Sequence, residues 1–184
     1  MTAKQFFCLG EDPPGVRLEL VDGNIAASPS PMPEHSYAEK RLSAILLNHI
    51  IEHKLGELLG DLDTVFGTYD VRRPDILYFR KERVGLIRWG EILAGVPDLC
   101  IEIVSPSSRQ IDRKDKFEQY AEGDVPFYWI VDPAEQTIEA HRLSRGRYKL
   151  LGQGKGTDVV SFEPFPDLKI ALAEIWFPRR GKKS

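Results

Sequence analysis

Cysteine is scarce: Cys8 and Cys100 are the only two in 184 residues. Two thiols cannot build a disulfide framework, so a reducing compartment is expected. Long apolar runs are missing as well. Nowhere do 18 apolar residues follow one another, so no membrane-spanning helix is expected. The opening MTAKQFFCLGEDPPG lacks the apolar segment of a secretory signal, and the expected setting is the cytoplasm. A strong charge of either sign is also absent. The net charge is -3, which gives no general attraction to nucleic acid; contact with it needs a local basic patch. The one obvious basic cluster, RRGKKS at 179–184, reads as a solvated chain end. Internal repeats and low-complexity segments are lacking too.

What remains is ordinary globular material, 42% apolar and 29% charged. The length suits a single domain over 1–184. VRLELVDGNIAAS alternates around Asp-Gly, a hairpin signature with strands at 16–21 and 24–28. PSPMP is a rigid link. Ala38, Leu42, Ile45, Leu46, His49, Ile50 and His53 recur at three and four residues, which predicts a helix from about 35 to 56, stopped by Gly56. DTVFGTYDV, PDILYFR and PDLCIEIVS predict a three-strand meander, with Pro106 ending its last strand. SRQIDRKDKFEQYAEG predicts a helix ending at Gly123, and FYWIVDP a buried strand. TIEAHRLS, RYKLLGQG and DVVSFE read as further strands, and DLKIALAEIWF as a short helix. The expected class is α+β with a mixed sheet: a hairpin at 16–28, a core at about 34–143 and a β-rich part at 144–178.

Three constellations could carry chemistry. HIIEH, His49 to His53, fits the H-x-x-E-H zinc-protease pattern with Glu52 as base. The same histidines lie on the apolar stripe of their helix, and no second histidine cluster follows, so they read as core-edge residues. GQGKGTD at 152–158 lacks the spacing of a phosphate-binding loop and reads as a hairpin loop.

The third constellation is RRPDILYF with VPDLCIEIVS. Glu102 interrupts an apolar strand, where a carboxylate is costly unless compensated. Two carboxylates on adjacent strands can hold one hard cation. Asp98 is four residues from Glu102 on the same strand, about 13 Å away at 3.3 Å per residue, and is better suited to capping the turn. Asp75 can lie beside Glu102, so Asp75 and Glu102 are the expected pair. A bound cation is the expected compensation for Glu102.

The spacing resembles the PD-(D/E)XK nuclease superfamily. More closely, RLELVDGNI, SPSPMPEHS, RRPDILYF, VPDLCIEIVSPSSRQIDRKDKFEQYAEGDVPFYWIVDP and IEAHRL resemble the Uma-type putative restriction endonuclease family, a bacterial family. The resemblance implies a restriction-endonuclease-like mixed sheet flanked by helices. It implies a DNA-cleaving enzyme that uses Mg2+ (or Mn2+), with Asp75 and Glu102 on the metal. The superfamily places a lysine two residues after the glutamate; here Val104 stands there. That lysine can migrate to the next helix, and the family match falls on Lys116. Helical periodicity alone leaves Lys114 equally open. Asp112, Lys116 and Tyr120 form one stripe, so a plain Asp112–Lys116 surface pair is the competing reading. Glu19 matches a glutamate of the family's first hairpin and either enters the site or lies on a strand surface. Ser105 either bonds the site or caps the strand. A homodimer is left open. The competing function is a catalytically decayed nuclease-fold module that binds nucleic acid or protein.

Overall fold

The computed structural model describes residues 1–88, 90–93, 95–105 and 111–178, without the side chains of Pro29, Ile111 and Asp112. A four-residue helix, α1 (Ala3–Phe6), precedes the hairpin of β1 (Val16–Val21) and β2 (Asn24–Pro29). Asp22 and Gly23 both take positive φ, 48° and 76°, as a two-residue I′ turn requires. Helix α2 runs Pro33–His53, with Pro33 in its first turn, where a missing N–H costs nothing. Ala38, Leu42, Leu46 and Ile50 recur every four residues and are all at most 1% exposed. The helix ends at His53 rather than at Gly56, because Lys54 turns left-handed with φ 53°.

Short strands follow: β3 (Gly56–Leu59), β4 (Thr64–Gly67), β5 (Asp70–Arg72), β6 (Ile76–Arg80) and β7 (Leu99–Ile103). A π-helical turn, Ile111–Asp115, runs into α3 (Lys116–Glu122), which ends at Gly123 as expected. The chain closes with β8 (Phe127–Asp132), β9 (Thr137–Ser144), β10 (Arg147–Lys155), β11 (Val159–Phe162) and β12 (Phe165–Ala171).

The central sheet has six strands in the order β10-β9-β8-β7-β6-β3. Only β7 and β8 are parallel, and the segment carrying α3 connects them. This is a mixed sheet in an α+β fold. The expected meander is divided: β4 and β5 join the hairpin in a separate sheet, β2-β1-β5-β4, while β6 and β7 are central. One face of the central sheet carries Ile76, Ile101, Ile103 and Trp129 against α2 and β12. The other carries Leu77, Phe79, Cys100 and Tyr128 against Tyr120 and Ala121 of α3.

Three expectations need correction. DLKIALAEIWF is mostly strand β12 followed by a single 3-10 turn at Leu172–Glu174, because β11 supplies a pairing partner. Gly56, expected as the helix stop, instead begins edge strand β3, which pairs with β6. GQGKGTD is not a loop up to Lys155: its first residues belong to β10. There a Cβ at Gly154 would lie 2.4 Å from Val160 Cγ1, so glycine lets the β11–β12 pair pack close. The Pro106 strand stop lies outside the described residues.

Candidate active site

In the β6–β7 ladder, Ile76 faces Ile101 and Leu77 faces Cys100. Continuing that register by one residue sets Asp75 opposite Glu102. Residues opposite each other in an antiparallel pair share a face, and by alternation this is the face covered by α3. Asp75 is 5% exposed and Glu102 3%. The approach of the chain to Asp75 is tight: a Cβ at Gly60 would lie 2.4 Å from the Asp75 carbonyl oxygen.

Helix α3 delivers two groups to Glu102 from positions four apart. Lys116 Nζ donates to Glu102 Oε2 at 2.8 Å, and the Tyr120 hydroxyl donates to Oε1 at 2.6 Å. The expectation that a bound cation alone compensates Glu102 is thereby corrected: protein groups meet both its oxygens. Lys116 is buried, whereas Lys114 is exposed. The Asp112 side chain, the other end of the competing surface pair, lies outside the described residues.

Asp75 is held differently. Its Oδ2 accepts from the Ile103 N–H at 2.7 Å and lies 3.2 Å from His35 Nε2; its Oδ1 lies 3.6 Å from Arg17. Burial by itself would raise the Asp75 carboxyl. The His35 bond and charge, the Lys116 charge and the Ile103 amide more than reverse it, and the group is held below the usual carboxylate range. Burial and the Glu102 charge push the Tyr120 phenol well above its ordinary range, so it stays a donor.

Glu19, left open by the sequence, lies beside this group. It is 6% exposed, accepts from Arg72 at 3.1 Å and from the Arg73 N–H at 2.8 Å, and feels the Lys116 charge. Burial opposes its ionisation, but Lys116 and Arg72 outweigh burial and lower it. Arg72 also donates to the Gln119 side chain, tying α3 to β5. Arg113, in the preceding turn, pairs with Glu139 of β9 at 2.7 Å. These ties fix where Lys116 points. Asp98 stands apart: it accepts from the Arg80 N–H and pairs with Arg80 and Arg83, clamping the end of β6. Among the described residues no three Asp, Glu, His or Cys side chains converge as a ready-made metal cage.

Sequence reasoning missed His35 and the hydroxyl of Tyr120. Tyr120 shares the Lys116 stripe, but helical spacing does not say what its hydroxyl meets. His35 sat in the quoted SPSPMPEHS with no partner in view, because Asp75 is 40 positions away. The HIIEH histidines are elsewhere, at the edge of the opposite face. His49 packs edge-on against Phe165, and His53 Nδ1 meets the His49 carbonyl at 3.0 Å.

A family model described as "Uma2: Putative restriction endonuclease" matches residues 3–173. The chain belongs to the Uma2 family. The Uma2 fold seen here is similar to the crystal structure of a putative nuclease belonging to DUF820 from Anabaena variabilis ATCC 29413. The TM-score is 0.79 at 23% identity, over 96% of this chain and 97% of that one. No curated protein matches. Among the described residues, no helix of this Uma2 chain is long and apolar enough to cross a membrane.

Proposed function

We propose that this Uma2 protein is a magnesium- or manganese-dependent endonuclease that hydrolyses DNA phosphodiester bonds in the bacterial cytoplasm. The observation supporting it most is the buried Lys116–Glu102 pair beside Asp75 of the neighbouring strand, on the same face of the sheet. A buried ion pair is a poor stabiliser, often matched by apolar residues of the same size. A core that keeps one beside a second buried carboxylate, in a nuclease family, is better explained by chemistry.

The donor set fits a hard dication: Asp75 and Glu102 offer carboxylate oxygens, which suit magnesium. When bound, the cation would neutralise charge on the phosphoryl group and make water a better nucleophile. The rest falls to the chain. Lys116 orients the attacking water or stabilises charge growing on the phosphoryl oxygens. Tyr120 fixes Glu102 so that one of its oxygens stays directed, and His35 with the Ile103 amide does the same for Asp75. Water adds to phosphorus, the bond to the leaving sugar oxygen breaks, and that oxygen takes up a proton.

Supercoiled plasmid incubated with Mg2+ or Mn2+, with a chelator control, tests the proposal. Nicking that the chelator abolishes is the expected result. DNA binding without cleavage under either metal would replace it with the decayed binding module.

A further inference from the structure

A cavity of about 850 Å³ adjoins the candidate site. That lies in the range of small-molecule pockets, roughly 300–1,000 Å³. Its walls connect it to the carboxylates. Val104 and Ser105 follow β7 directly, two and three residues beyond Glu102, and His35 lines the cavity while its Nε2 contacts Asp75. We propose that this cavity is the subsite for one unstacked nucleobase of a single-stranded stretch, next to the scissile phosphate. The inference rests on the nuclease reading and adds the strandedness of the substrate.

The lining decides which part of a nucleotide it takes. Its described walls carry the carboxylate of Glu34 and no lysine or arginine, a poor setting for a phosphate. Cations lie outside it, on Lys116 and Arg17 beside the carboxylates. Pro133, Phe177 and Pro178 give it apolar surface. Phe177 touches Tyr37 edge to face at 5.3 Å yet keeps 41% of its surface exposed. Unpaired bases stack on such aromatic surface. The walls are not wholly apolar, since Glu34, His35, Ser105 and Gln136 also line them. A base brings polar edge atoms that such side chains can meet, as well as an apolar face. A base held in a duplex stack cannot enter a pocket without being extruded, which costs unstacking energy.

The test is binding, read by fluorescence anisotropy of a labelled oligodeoxynucleotide as single strand and as duplex, with calcium in place of magnesium. The wild-type protein should prefer the single strand by about ten- to a hundredfold, the scale of one base–aromatic stack. Phe177→Ala should erase the preference and leave duplex affinity within about twofold. Because Phe177 also packs on Tyr37, Ala134→Trp serves as an independent plug from an exposed position on the wall; it should have the same effect. Equal affinity of the wild type for both forms, or a preference that survives both substitutions, overturns the inference. If both forms bind equally and plasmid is still cut, only the subsite falls. If neither form binds, the nuclease reading falls with it.

Discussion

Lys116 Nζ lies 2.8 Å from Glu102 Oε2, with 10% and 3% of the two side chains exposed. Lys114, two residues earlier, is exposed. Their substitutions therefore make a direct comparison. Lys116→Met should lower cleavage by about 10²–10³-fold, the usual cost of removing one preorganised electrostatic group. Lys114→Ala should stay within about twofold. Lys116→Met should also lower thermal stability, since it leaves Glu102 buried without its cation. Plasmid-cleavage rates and thermal melts of both variants check this; loss of activity in Lys114→Ala alone would place the lysine role wrongly.

Metal binding should depend on both carboxylates. Calorimetric titration with Mn2+ should show binding in the wild type and none in Asp75→Asn or Glu102→Gln. Each substitution keeps size and shape while removing the charged oxygen donors a hard cation selects. Unchanged binding in either would remove that residue from the metal site.

Tyr120→Phe isolates one hydrogen bond. The ring, packed on Phe66 and Tyr128 at 5.0 and 5.2 Å, is kept; the donor to Glu102 is lost. Bonds to charged groups are worth about 1.5–3 kcal/mol, and chemical denaturation should show a loss of that size. Activity should fall while the metal affinity changes little.

Gly60→Ala should reach the site through the backbone. Its new Cβ would lie 2.4 Å from the Asp75 carbonyl oxygen, so the strand entry must shift. Overpacking of this kind costs about 1–3 kcal/mol. Cleavage should fall more than stability does, because Asp75 moves with the strand. A variant as active as the wild type would mean that the entry is looser than the contact implies.

Acid should destabilise the metal-free protein through Glu19. Its folded pKa lies below the unfolded one, so its contribution is fully present above the unfolded value of 4.5 and fades as pH falls through the lower folded value. Urea midpoints in chelator, taken downward from neutral pH, should drop across that window. Glu19→Gln should flatten the drop; an identical slope would assign the acid sensitivity elsewhere.

The amino-acid order determined the elements whose apolar periodicity is long and regular. Ala38, Leu42, Leu46 and Ile50 can only be one helical stripe. FYWIVD is buried along its whole length, and VRLELVDGNI closes on its own turn. It also determined which residues could carry chemistry, since Asp75 and Glu102 are carboxylates in apolar strands. Tertiary structure decided what depends on distant partners. Leu168, Ile170 and Leu172 fit a strand or a helix until β11 supplies a ladder. Gly56–Leu59 is too short to declare itself without β6. The β4–β5 pair left the expected meander because β1 offered Leu20 as a partner for Val71. The choice between Lys116 and Lys114 belongs here too. Helical periodicity allows both; only the packing of α3 on the sheet, tied by Arg72–Gln119 and Arg113–Glu139, buries one ammonium against Glu102 and leaves the other in water.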